Sequence, residues 1–115
     1  YMSELVEEFN GYRSKMNERM LEENQKLIKR VFSLDTIAFQ EGHLPIKTKE
    51  LLGLGNSLVL RCDDCVKYHL QACHQLGLSK DEVFEAMSIS LLIGGTIVIP
   101  HLRRAFEFWD ALENN

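Results

Sequence analysis

The chain has 115 residues, 45% of them hydrophobic and 26% charged, with 13 basic against 17 acidic side chains and a net charge of −4. Such a length suits one domain with a modest core, and the composition excludes a disordered chain. The acidic balance argues against a nucleic-acid backbone or an anionic membrane surface as main partner, and the short pairs Lys29–Arg30 and Arg103–Arg104 do not reverse it.

Met2 reads as the natural start, with Tyr1 an addition before it. The acidic run that follows lacks the apolar stretch of a secretory leader, so a cytoplasmic location is expected. Leu5, Phe9, Tyr12, Met16 and Met20 recur at helical intervals and predict a first amphipathic helix. Leu27, Ile28, Val31, Phe32 and Leu34 predict a second. Glu41-Gly42-His43-Leu44-Pro45 reads as a loop, because Gly and Pro are poor helix interiors. A third helix is expected after Pro45, with Thr48 as cap, running through Glu50, Leu51, Leu54 and Leu58. Gly53 and Gly55 weaken it by roughly 1 kcal/mol each relative to Ala, and read as places where a neighbouring helix approaches closely.

A fourth helix is expected from Cys62 to Gly77, with Val66, Leu70, Cys73 and Leu76 on its apolar face. Ser79-Lys80-Asp81-Glu82 has the form of a capping box and opens a fifth, carrying Val83, Phe84, Met87 and Leu91 and ending at Gly94-Gly95. The last helix starts near Thr96 or Pro100 and buries Val98, Leu102, Ala105, Phe106 and Trp109. The longest apolar run, Leu91 to Pro100, is far shorter than the ~20 residues of a membrane span. The fold class is therefore all-α, with about six helices, and the Met and aromatic stripes read as core.

Three cysteines are too few, and odd in number, for a disulfide scaffold; in a reducing cytosol their spacing points to catalysis or metal. The informative segment is Arg61-Cys62-Asp63-Asp64-Cys65-Val66-Lys67-Tyr68-His69. Residues four apart on a helix are surface neighbours, which sets His69 beside Cys65. An imidazole titrates near neutral pH and can take the thiol proton, so Cys65 is the better nucleophile and Cys62 its resolving partner. A bridge closes more easily if Cys62 lies at a helix N-terminus, and Asp63 and Asp64 favour a first turn there. Helix N–H groups lower a thiol pKa while two aspartates raise it, so the net shift has no sign from sequence.

Zinc is the rival reading. Cys73 would lie ~16 Å from Cys62 along a straight helix, too far to share an ion and better suited to the core. A site built from Cys62, Cys65 and a distant residue such as His101 remains open. His43 and His74 receive no role, and His101 reads first as structural. No cofactor is implied.

Lys47-Thr48-Lys49-Glu50-Leu51-Leu52, Cys62-x-x-Cys65-x-x-x-His69 and Gly77-Leu78-Ser79-x-x-Glu82-Val83 together resemble the carboxymuconolactone decarboxylase-like family, and within it the AhpD-type alkylhydroperoxidases. The likeness covers roughly residues 44–110 of a single domain spanning residues 1–115. It implies an all-helical homo-oligomer, a trimer or hexamer. It also implies a thiol-dependent peroxidase in which Cys65 attacks peroxide and Cys62 resolves the sulfenic acid. His69 and Glu50 match the relay residues, and a thiol or dihydrolipoyl-type reductant resets the pair. A single helix would hold Glu50 and Cys62 about 18 Å apart, so the resemblance requires a turn near Leu60 to Asp63. This chain departs from AhpD in length and at Asp64, where AhpD has a histidine, which implies a weaker relay. A zinc-binding or redox-sensing protein, or a lactone decarboxylase, are the alternatives.

Overall fold

Local punctuation sets the helix boundaries. The computed structural model describes residues 2–114, so the reading of Tyr1 lies outside the described residues. Six helices follow in order: α1 (Met2–Glu22), α2 (Lys26–Ala38), α3 (Ile46–Val59), α4 (Asp63–Gln75), α5 (Lys80–Gly94) and α6 (Ile99–Glu113). A 3-10 turn over Thr96–Val98 joins the last two, and the described residues contain no strand.

Pro45 itself precedes α3 in an extended conformation, so Thr48 lies inside the helix and caps nothing. The fixed φ of proline and its lack of an N–H suit it to a helix start. At α5 the capping box forms as expected. Ser79 Oγ accepts from Glu82 N at 3.1 Å, and Glu82 Oε1 accepts from Ser79 N at 2.8 Å. The Ser79 hydrogen bonds hold the Glu82 carboxyl below its ordinary range. Gly77 ends α4 at φ +81°, where Leu78 N donates to Cys73 O and Gly77 N to His74 O. These paired bonds satisfy carbonyls the helix would otherwise leave open.

The core is assembled from Leu54 and Leu58 of α3, Val66, Leu70 and Cys73 of α4, and Val83 and Met87 of α5, closed by Ala105, Phe108 and Trp109 of α6. α3 and α4 make the most extensive interhelical contact, and α1 joins by packing on α6. In α6 the phase differs from the sequence expectation. Phe108 is fully buried, whereas Phe106 is 38% exposed and stacks on Phe84 at 4.0 Å between ring centroids.

The larger difference lies at the N-terminal end. Val6 is buried and Leu5 and Phe9 pack on the core, but Tyr12 and Met20 are exposed. α2 has no buried residue, and Leu27, Val31, Leu34 and Ile37 face outward. Both helices carry apolar stripes, yet within one chain only the first turns of α1 reach the core, and α2 is at most half-buried, at Ile28 and Phe32. The radius of gyration, 14.7 Å, exceeds the ~13 Å of a compact chain this long. No helix of the described residues is long and apolar enough to cross a membrane.

Candidate functional site

The turn between α3 and α4 builds the site. Leu60 closes α3, and Arg61 adopts the left-handed conformation at φ +62°. Arg61 N then donates to Leu58 O and Cys62 N to Ser57 O, both at 3.0 Å. This is the glycine-type helix stop made with an arginine, at a cost of roughly 1–2 kcal/mol. Its product is a reversal within three residues that delivers Cys62 directly to the N-cap of α4. Cys62 Sγ accepts from Cys65 N at 3.3 Å, and the two cysteines are joined as a disulfide.

The reversal lays α3 back along α4 and brings Glu50 to His69. Glu50 Oε1 and His69 Nδ1 lie 2.7 Å apart, 19 residues apart in sequence, with both side chains buried. A carboxylate can only accept, so Nδ1 carries a proton, and in the neutral ring Nε2 is then the acceptor. The ring is clamped on several sides. Phe39 and Tyr68 lie 5.1 and 5.2 Å from it, and the missing side chain of Gly53 makes room for it. A Cβ on Gly53 would come within 2.6 Å of His69 Cε1 and 2.8 Å of both ring nitrogens. Gly53 therefore permits a close approach, as its sequence context suggested, but by the His69 imidazole rather than by a helix backbone.

The four site candidates thus fall on one hairpin: Glu50 on α3, Cys62 in the turn, and Cys65 and His69 one turn apart on α4. Cys73 is separate. It is fully buried, and burial, helped by the negative charge of Glu50, pushes its thiol up to about 12, so it stays protonated. His74 sits at the surface beside Glu113, 3.3 Å away, and edge-on to Trp109.

Around the disulfide lies a ring of charges whose pairing the sequence did not disclose. His101 Nδ1 donates to Asp63 Oδ1 at 2.8 Å, and Arg104 Nε donates to Asp63 Oδ2 at 2.8 Å. Burial raises the Asp63 pKa, but these two partners outweigh it and hold the carboxyl below its usual range. Asp64 is met by Arg13 of α1 at 3.8 Å, and the Arg13 guanidinium lies 4.4 Å over the Tyr68 ring. Each aspartate of the motif is therefore matched by a cation. The sequence signal for the first match was faint: His101 and Arg104 are three apart on α6 and so share a face.

Known proteins carry the same framework. A 1.56 Å crystal structure from Thermotoga maritima, of a carboxymuconolactone decarboxylase family protein with a possible part in an antioxidative response, superposes with a TM-score of 0.89. It is 48% identical, over 93% of this chain and 91% of that one. A carboxymuconolactone decarboxylase family protein from Legionella pneumophila, in its apo form, superposes at 0.71 with 26% identity, over 98% and 95% of the two chains. An uncharacterised protein of Cupriavidus necator is 29% identical over 75 residues, which is 65% of this chain and 66%, just under two thirds, of that relative. The sequence profile of the carboxymuconolactone decarboxylase family matches residues 25–108, taking in α2 and the whole α3–α4 hairpin. With the family's profile matching most of its length, the chain belongs to the carboxymuconolactone decarboxylase family.

Proposed function

We propose that this chain is an AhpD-like thiol-dependent peroxidase and disulfide oxidoreductase, working in a reducing cytoplasm on hydroperoxides. The buried Glu50–His69 bond, one turn of α4 from Cys65 on the disulfide-forming helix, is the observation that carries the reading. His69 Nε2 takes the Cys65 proton, and the thiolate attacks the outer peroxide oxygen. The O–O bond breaks, Cys65 becomes a sulfenic acid, and the alkoxide leaves with the proton from His69 as an alcohol. Cys62 then attacks the sulfenic sulfur, forming the disulfide and releasing water. A dihydrolipoyl-type dithiol, or two thiols, returns the pair to the reduced state by exchange.

Stoichiometric hydroperoxide added to the reduced protein should give a Cys62–Cys65 disulfide, seen by mass mapping. Cys65→Ser should consume peroxide roughly 10³-fold more slowly, since the sulfur one turn from the His69 base is gone and any oxidation of Cys62 then has no partner sulfur to resolve it. Unchanged peroxide consumption by Cys65→Ser sinks the reading. Peroxide loss without the disulfide would sink the role of Cys62.

The same reading includes self-association, as a trimer or hexamer. Leu27, Val31, Leu34 and Ile37 on α2 and Ile89, Leu92 and Ile93 on α5 are 51–84% exposed, more apolar surface than a monomer commonly leaves open. Sedimentation equilibrium should return three or six times the chain mass of 13.3 kDa, and a monomer at micromolar concentration would refute it.

A further inference from the structure

We propose that Arg104 and His101 are positioning residues for the Cys62–Cys65 couple, which by neutralising Asp63 favour the thiolate of Cys62 whenever the disulfide opens. The inference rests on the redox reading above and adds two residues of α6 to it. Reduction by two thiols breaks the Cys62–Cys65 bond and forms a new disulfide between the thiols. Of the two protons they supply, one stays on Cys65 and one is released, leaving Cys62 as the thiolate.

The charge environment decides how favourable that product is. Cys62 is the N-cap of α4, so its sulfur faces the unpaired N–H end of the helix and already accepts from Cys65 N. Against this stands Asp63, the next residue in the chain and the first of α4, whose negative charge disfavours a thiolate nearby. The charged groups around this end of α4 are Asp63 and Asp64 on the helix, Arg61 in the turn before it, Arg13 on α1, and His101 and Arg104 on α6. Asp64 is two-thirds exposed and loosely paired, so solvent screens it. Asp63 is the less exposed of the two and is held at 2.8 Å on both oxygens. Arg104 supplies a permanent positive charge there, and His101 fixes the other oxygen. Removing the Arg104 charge leaves the Asp63 charge uncompensated beside the nascent thiolate. The reduced form is then less stable and the disulfide harder to reduce, the reverse of what makes a strongly oxidising pair.

The test is a redox titration of the full chain in dithiol buffers, read by thiol alkylation and mass, on wild type, Arg104→Gln, His101→Gln and Arg104→Lys. Because Arg104 and Asp63 are part-exposed, the expected effect is moderate: Arg104→Gln lowers the equilibrium constant for reduction three- to tenfold, tenfold being ~30 mV for this couple. Arg104→Lys should recover most of the loss, and the gap should narrow between ~0.01 and ~1 M salt. A merely structural role would change melting temperature and leave the potential in place. An unmoved potential in Arg104→Gln, or a shift that Arg104→Lys does not rescue, overturns the proposal. Arg104 is half exposed, so its variants stay informative if His101→Gln folds poorly. A wild-type pair with no reversible dithiol–disulfide equilibrium would instead overturn the redox reading itself, which the variants leave untouched.

Discussion

Glu50→Gln should slow peroxide-driven disulfide formation by about 10²- to 10⁴-fold while leaving the protein folded. The reason is tautomeric. Glu50 Oε1 faces His69 Nδ1 at 2.7 Å in a buried contact, and an acceptor-only group there keeps the proton on Nδ1. A glutamine carries a donor amide beside its acceptor oxygen, so it no longer fixes the ring proton on Nδ1 and no longer keeps Nε2 free as the base. Its shape matches glutamate, so the cost in packing is small. Glu50→Ala should be worse for the fold, because it leaves the buried imidazole N–H without its acceptor, at a cost of about 1–3 kcal/mol. Stopped-flow oxidation followed by tryptophan fluorescence or quench-and-alkylate mapping measures the rate. A Glu50→Gln rate within threefold of wild type would show that the carboxylate does not serve His69.

Gly53→Ala is expected to disable the site without replacing any of its four candidate residues. The added methyl carbon would lie 2.6 Å from His69 Cε1, inside the closest approach that packed carbons tolerate. The ring has little room to yield, since Phe39 and Tyr68 stand about 5 Å away on other sides and Glu50 holds Nδ1. Alanine gains roughly 1 kcal/mol over glycine in a helix interior, against overpacking of about 1–3 kcal/mol plus a broken buried hydrogen bond. The balance is destabilising by about 1–2 kcal/mol, a fall in melting temperature of roughly 4–10 °C. Activity should fall towards that of a His69 variant. Gly55→Ala serves as the milder comparison, because its nearest neighbour is the Ser90 hydroxyl at 3.2 Å, which donates to Gly55 O at 3.0 Å and would need to shift only slightly. Equal melting temperatures and rates for Gly53→Ala and wild type would contradict the packing account.

The two expectations expose different depths of the same site. Glu50 entered through a resemblance between motifs and, from periodicity alone, would pass as a solvated helix residue. Gly53 drew attention as a weak point of its helix and a place of close approach, but not as part of a site. The structure relates them through one ring: Glu50 binds His69 from one side, and Gly53 makes the space it occupies. Both lie on α3 within three residues, so the Glu50–x–x–Gly53 spacing puts an acceptor and a gap on adjacent turns facing α4.

Signals that act over a few residues were readable from the sequence. The Ser79–Glu82 capping box, the stop at Gly77, the start after Pro45 and the CxxC at the entry to α4 each involve groups within five positions of one another. Hydrogen-bond and steric rules settle such contacts whatever the rest of the chain does. The six helices and the placement of Cys62, Cys65 and His69 along one of them followed from those rules.

Tertiary structure alone decided which apolar faces are covered and which charges meet. The stripe of α2 has the same periodicity as that of α4, yet α4 is clasped by α3 and α6 while α2 stays open, because burial depends on a partner surface and not on the pattern itself. Asp63 and Asp64 were identical in their local effect on the cysteines. Only the folding of α6 and α1 across the N-terminus of α4 supplied His101, Arg104 and Arg13 as their partners, and Coulomb energy depends on distances that sequence separation does not encode.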